Sequence, residues 1–150
     1  ALALVVLRDI SPVFLLVLMA CIWISDSAAY FSGKRFGRIK LAPNISPGKT
    51  WEGVLGGLVA VLIYAFSINL IAPHWLPAAR YPWLGLTIFF AGFIFLMAAI
   101  GVAGDLFESM IKRIAGVKDS GNLLPGHGGV LDRVDALLPT LTLAALIFLP

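Results

Sequence analysis

The stretch VLGGLVAVLIYAFSINLIA, from Val54 to Ala72, decides the fold class of this chain. It is apolar and close to the ~20 residues that a helix needs to cross a bilayer. Two further runs have similar length and character, Val13 to Phe31 and Trp83 to Ala103. Only helices or closed barrels satisfy their backbone polar groups in lipid, and these runs have the length of helices. We therefore predict an all-α, polytopic membrane helical bundle.

The composition also indicates a membrane protein. Hydrophobic residues make up 60% of the chain and charged residues 13%, whereas soluble domains have roughly 25% charged residues. A fourth apolar run extends from Ala136 to Pro150, with Pro139 early in it, where a missing N–H costs least. The chain has no initiator Met, and Ala1 to Leu7 is already apolar. We interpret residues 1–150 as one transmembrane catalytic domain from the C-terminal part of a longer protein.

The basic residues predict the orientation of the helices. Nine of the eleven lysines and arginines fall in two segments, residues 34–49 and 112–133, which two predicted spans separate. Both segments therefore lie on one face of the membrane, and the positive-inside rule assigns that face to the cytosol. The single cysteine, Cys21, falls within the first span, which excludes a disulfide framework and a metal–thiolate site.

Acidic residues gather where the last span begins. Asp132 and Asp135 lie one helical turn apart, directly after the glycine-rich sequence PGHGG at 125–129. Charges beside hydrocarbon cost roughly a few kcal/mol each, and two carboxylates at i and i+3 repel unless a cation or an arginine compensates. A metal site and a capped helix with Arg133 as the counter-ion are both compatible with this pattern.

Another acidic residue, Asp26, lies in the first span beside a run of small residues. Small residues at three- and four-residue spacing form a helix face that a neighbouring backbone can approach closely. We predict that Asp26 points into protein rather than lipid, as part of a site or as a structural carboxylate paired with a lysine or arginine. The small residues are Ser25, Ala28, Ala29 and Ser32 in the first span and Gly53, Gly56 and Gly57 in the second.

The sequence Gly48-Lys49-Thr50 before the second span looks like the end of a phosphate-binding P-loop. The upstream glycine of that motif is absent and no strand is predicted before it, so we reject a P-loop. Thr50 is suited to cap the helix, with Glu52 in its positive first turn. Backbone amides at a helix N-terminus beside Lys49 predict a phosphate-binding site. A capped helix whose lysine extends to water is an equally good interpretation.

The densest polar region follows the third span. At helical spacing, Asp105, Glu108, Ser109 and Lys112 form one polar stripe. A cytosolic amphipathic surface helix with a Glu108–Lys112 pair explains much of this stripe. It does not explain Asp105 at the membrane end, which we therefore count as a candidate site residue.

From Ser109 to Asp135 the chain resembles the signature of the phosphatidate cytidylyltransferases, also called CDP-diacylglycerol synthases. Every spacing of that signature is kept. The matching residues are Ser109, Lys112-Arg113, Lys118-Asp119, Gly121, Leu124-Pro125, His127-Gly128-Gly129 and Asp132-Arg133-Val134-Asp135. Upstream residues that look like the same family are Asp26, Gly33-Lys34, the run Ser46 to Gly53, and Gly104-Asp105.

The resemblance implies transfer of a cytidylyl group from CTP to phosphatidate, giving CDP-diacylglycerol and pyrophosphate in phospholipid biosynthesis. It implies a Mg²⁺ cofactor, with a second cation left open. It also implies a homodimer among membrane lipids, with no nucleic-acid partner. We expect the bacterial inner membrane, with the active site on the cytoplasmic side.

On this interpretation the site residues fall into two groups. The predicted catalytic residues are Asp105, Asp132, Asp135, Lys112 and Arg133, and the three aspartates are also the predicted metal ligands. The predicted substrate-binding residues are Asp26, Lys34, Lys49, Ser109, Arg113, Lys118, Asp119, His127, Gly128 and Gly129. A structural role in a turn explains His127 nearly as well.

Three other functions remain as alternatives. A synthase of the CDP-archaeol type would use the same nucleotide with another lipid acceptor, and the shape of a lipid groove is not readable from sequence. A cation or proton-coupled transporter would need carboxylates near mid-span, whereas only Asp26 approaches a span interior. A structural scaffold would not need His127-Gly128-Gly129 between a basic and an acidic cluster.

Overall fold

The structure is a computed structural model that describes residues 2–117 and 134–148. Within these ranges the chain forms an all-α bundle with one small hairpin, so the predicted fold class is confirmed. The helices are α1 (Leu2–Ile10), α2 (Pro12–Phe36), α3 (Trp51–Ile71), α4 (Thr87–Ile114) and α5 (Leu137–Phe148). The strands are β1 (Lys40–Ala42) and β2 (Ser46–Thr50). Short 3₁₀ turns at Pro73–Trp75 and Pro82–Gly85 connect α3 to α4.

Three of the helices, α2, α3 and α4, are long and apolar enough to cross a membrane by length and composition. They coincide with the three predicted spans, and α5 is a shorter apolar helix in the predicted fourth run. Ser11 caps the first of these helices, because its side chain accepts a hydrogen bond from the N–H of Phe14 at 3.2 Å. Since successive spans run in opposite directions, the end of α2, the hairpin and the end of α4 meet at one end of the bundle.

The structure differs from the prediction at the end of α4. The expected separate surface helix is the continuation of α4, which has 28 residues and is therefore about 42 Å long at ~1.5 Å per residue. The hydrocarbon core is only ~30 Å thick, so the helix extends beyond it. The start of α5 and the chain just before it pack on this part of α4: the ring of Pro139 lies against Gly104, and a Cβ there would be 3.2 Å from the Asp135 carbonyl oxygen.

The predicted close approach of the first two spans is confirmed. A Cβ on Gly57 would lie 2.9 Å from the Ser25 carbonyl oxygen, and one on Gly53 would lie 2.9 Å from the Ala29 carbonyl oxygen. The two backbones are therefore too close for larger side chains. This contact brings the C-terminal end of α2 against the N-terminal end of α3.

An aromatic cluster stabilises the opposite end of the bundle. The ring of Phe148, near the end of α5, makes edge-to-face contacts with Phe14, Tyr81 and Phe93 at centroid distances of 5.2, 4.8 and 5.6 Å. Such pairs contribute about 0.5–1.5 kcal/mol each beyond their buried area. Nearer the other end of α5, Thr140 donates to the carbonyl oxygens of Met97 and Ala136 at 3.3 and 2.7 Å. The helix is therefore fixed along its length.

The close packing of α2 on α3 generates a prediction. Gly57→Ala should lower the free energy of unfolding by about 1–3 kcal/mol, because overpacking forces the two backbones apart. Gly92→Ala is the matched control, since nothing lies within 4 Å of its Cβ position and alanine is the better helix former by up to ~1 kcal/mol. Unfolding in detergent measures both variants. Equal stability of the two would contradict this account of the helix interface.

Candidate active site

The hairpin of β1 and β2 is joined to the start of α3 by local hydrogen bonds. Thr50 ends β2 and caps α3, as predicted, because its side-chain oxygen accepts from the N–H of Gly53 at 3.2 Å. The Glu52 carboxylate accepts from the N–H of Ile39 at 3.2 and 3.3 Å, and Trp51 N–H donates to the Ile39 carbonyl oxygen at 3.0 Å. These contacts hold both ends of the hairpin at one helix N-terminus.

Two longer-range contacts place the hairpin against α4. The Lys49 ammonium forms an ion pair with the Asp105 carboxylate, whose other oxygen is 3.4 Å from the Ser109 hydroxyl. Arg113 donates from Nε to the Ile45 carbonyl oxygen at 3.2 Å, at an exposed position. The hairpin therefore bridges from α3 to the C-terminal part of α4 and covers the space between them.

This space is a cavity of about 900 Å³ between α2, α3, α4 and the hairpin, reaching Asp135 before α5. Carboxylates and ammonium groups from separate parts of the chain line it together. The charged residues in its wall are Asp26, Asp105, Asp135, Lys34, Lys40 and Lys49. Lys34 also lies over the Tyr30 ring, 5.8 Å from its centroid. Asp26 faces this cavity, in agreement with the prediction that it points away from lipid.

The depth of the cavity follows from helix geometry. Asp105 lies about 27 Å along the axis from Thr87, at ~1.5 Å per residue, and the hydrocarbon core is ~30 Å thick. The carboxylate of Asp105 is therefore near the boundary between hydrocarbon and headgroups. Asp26 is about 21 Å from the start of α2 at Pro12 by the same measure, so the cavity extends from this boundary some way into the membrane.

The carboxylates in the cavity repel one another. Asp26 interacts electrostatically with Asp105, Asp135 and Lys49. Burial raises the pKa of Asp135, and the negative charge of Asp105 raises it further. The N–H of Ala136, 2.7 Å from an Asp135 oxygen, opposes this effect only in part. Repulsion of this kind is what a bound cation relieves.

The structure brings part of the predicted site together. Asp26, Lys34, Lys49, Asp105 and Asp135 line one cavity. Ser109 contacts Asp105, Lys112 pairs with Glu108, and Arg113 holds the hairpin. The remaining predicted residues lie outside the described ranges: Lys118, Asp119, His127, Gly128, Gly129, Asp132 and Arg133. Among the described residues, no three His, Cys, Asp or Glu side chains are arranged to hold a metal ion.

Sequence reasoning missed three residues of this region. Lys40 and Ser46 line the cavity, but they belong to a hairpin of strands too short for a periodic pattern. The sequence pattern favours a surface ion pair for Glu108, yet Glu108 is only 9% exposed. The one signal for Glu108 was its place one turn after Asp105, on the same stripe.

Fold and cavity together define an integral membrane protein with a cavity lined by carboxylates and ammonium groups at one end of its bundle. The chain belongs to the cytidylyltransferase family, which it matches over residues 1–149. Phosphatidate cytidylyltransferase of Haemophilus influenzae is 52% identical over 126 residues, 82% of this chain and 41% of that protein. The protein of the same name from Thermotoga maritima is 40% identical over 144 residues, 94% of this chain and 51% of that protein.

A third relative of that name, from Brucella suis, is 44% identical over 152 aligned positions, which cover 99% of this chain and 52% of that protein. The chain thus spans about half the length of the curated relatives it matches. The range matched by the family, residues 1–149, includes the helices and the described cavity residues.

The raised pKa of Asp135 generates a prediction for the intact protein in the presence of a chelator. Asp135→Asn should raise its stability at neutral pH, because the variant removes a charge that burial and Asp105 disfavour. The folded state binds the Asp135 proton more tightly than the unfolded state does. Ionisation of Asp135 therefore begins to lower the stability of the wild-type protein above the unfolded aspartate pKa of about 3.9, and this loss is complete above the raised pKa of the folded state. The stability that Asp135→Asn gains over the wild type should therefore vanish on acidification. Thermal unfolding against pH measures it, and a variant less stable at neutral pH would contradict the prediction.

Proposed function

We propose that this chain carries the site at which a cytidylyl group passes from CTP to phosphatidate, giving CDP-diacylglycerol and pyrophosphate. The observation that carries the proposal is the single cavity lined by three carboxylates and three ammonium groups at the membrane boundary. Membership of the cytidylyltransferase family supports the nucleotide. The names of the relatives support phosphatidate as the acceptor.

The main physical task of this reaction is to bring two anions together. An oxygen of the phosphatidate phosphate attacks the α-phosphorus of CTP, a new P–O bond forms, and the bond to the departing pyrophosphate breaks. The attacking phosphate is already ionised at neutral pH, so no general base is needed. Catalysis then depends on positioning and charge neutralisation. Lys34, Lys40 and Lys49 supply positive charge on the hairpin side of the cavity.

The donor set of the cavity fits a divalent cation. Mg²⁺ prefers oxygen ligands and keeps several waters, so two or three carboxylates with substrate phosphate oxygens are sufficient. Asp105 and Asp135 are described members of the proposed ligand set, and Asp132, the third, is outside the described residues. When bound, the cation would neutralise phosphate charge and orient the triphosphate. Lys49 already pairs with Asp105, which keeps a positive charge beside this carboxylate.

The position of the cavity suits two substrates with different solubilities. A site near the boundary is reachable by a lipid phosphate from the headgroup layer and by CTP from water. We propose that this end of the bundle faces the cytoplasm, because the basic residues cluster there. The bacterial sources of the named relatives support the bacterial inner membrane as the location. Homodimer formation stays a prediction.

The direct test is an assay of the intact protein with CTP, phosphatidate and Mg²⁺ in detergent micelles, with pyrophosphate release as the readout. Asp135→Asn and Asp132→Asn should each abolish turnover without preventing membrane insertion. Losing one ligand of a metal and phosphate site costs about 10²-fold or more in rate. Asp9→Asn is the matched control, because Asp9 is exposed on α1 and belongs to no part of the site.

Two measurements accompany this assay. Membrane fractionation checks insertion of each variant, and labelled CTP identifies the lipid product. Near wild-type turnover in both site variants would remove the metal assignment. Absence of product from the wild-type protein would remove the proposed reaction.

A further inference from the structure

Glu108 has an unusual environment for a charged residue of a membrane protein. It lies on α4 one turn after Asp105, and only 9% of its surface is exposed. The polar residues buried to this extent in the described ranges are Ser25, Thr50, Glu108 and Thr140. Glu108 is the ionisable member of that set, so its burial needs a compensating partner.

The compensation for Glu108 comes from Lys112, one turn further along α4. The Lys112 ammonium is 3.4 Å from Oε1 of Glu108, and the side chains are 17% and 11% exposed. The Asp135 carboxyl group lies within interaction range on the other side. The ion pair is therefore largely buried, and its Glu108 member lies next to the cavity residue Asp135.

An apolar groove lies beside the Glu108 end of this ion pair. The groove has a volume of about 610 Å³ and lies between α4 and α5. Phe107, Ile111, Leu138 and Pro139 line it, and Glu108 and Asp135 form its polar end. Low polarity strengthens the attraction between opposite charges. Near the end of a membrane helix, a lysine without such an anion extends its ammonium outward to water.

We propose that Glu108 is a positioning residue that holds the Lys112 ammonium inward, on the polar stripe of α4 that begins at Asp105, where it can contact a substrate phosphate. This inference rests on the proposed function in one respect, which is the identity of the phosphate compound that Lys112 contacts. The position of Lys112 itself does not depend on which phosphate compound binds. Glu108 contacts no substrate in this account and acts through Lys112.

The first test measures the accessibility of Lys112 without any substrate. The intact protein and its Glu108→Gln variant, which keeps the side-chain shape, are treated with a water-soluble amine-acylating reagent. Mass spectrometry of peptides then gives the rate at Lys112 relative to Lys40, an exposed lysine. We expect Lys112 to react roughly tenfold faster in the variant, as loss of about 1.4 kcal/mol of pairing would produce. An unchanged relative rate would overturn the proposal.

The second test is a double-mutant cycle on catalysis with Glu108→Gln and Lys112→Met. Glu108→Gln should raise KM for CTP or phosphatidate more than it lowers kcat, and it should have no further effect when Lys112 is already methionine. Additive effects would show a structural role instead and overturn the proposal. Asp9→Asn controls for the loss of one negative charge. If the wild-type protein made no product, the proposed function would fail, while the labelling experiment would still decide the position of Lys112.

Discussion

Mutual repulsion of carboxylates at the membrane boundary is the constraint on which the architecture of this protein depends. Asp26, Asp105 and Asp135 come from different parts of the chain and line one cavity. Each would be more stable in water, away from the others. Their convergence therefore has to be imposed by the packing of the helices and relieved by positive charge.

Small residues allow the close helix packing that brings these carboxylates together. Gly53 and Gly57 bring α3 against α2, and Gly104 lets Pro139 at the start of α5 reach the backbone of α4. Positive charge reduces the repulsion between the carboxylates, because Lys49 forms an ion pair with Asp105. A cation and substrate phosphates would complete the balance of charge in the proposed reaction. The helical scaffold and the chemistry are thus connected through the same few close contacts.

Local features of this structure were readable from sequence, and long-range ones were not. The three spans follow from apolar length, and the Thr50 cap follows from a residue type next to a helix start. The sequence does not reveal the hairpin, because its strands of three and five residues are too short for a periodic pattern. Its position against α4 depends on contacts far apart in sequence, such as Arg113 with Ile45. Periodicity placed Glu108 on the polar stripe of α4, but only the docking of α5 shows that this stripe faces inward.

The central claim is that Asp105 and Asp135 act together on a divalent cation. Titration of the intact protein with Mn²⁺, followed by electron paramagnetic resonance in the presence of CTP, tests it without relying on turnover. The account predicts a bound ion whose affinity falls at least about tenfold in Asp105→Asn and in Asp135→Asn, as for loss of one anionic ligand. Equal affinity in the wild type and both variants would contradict it.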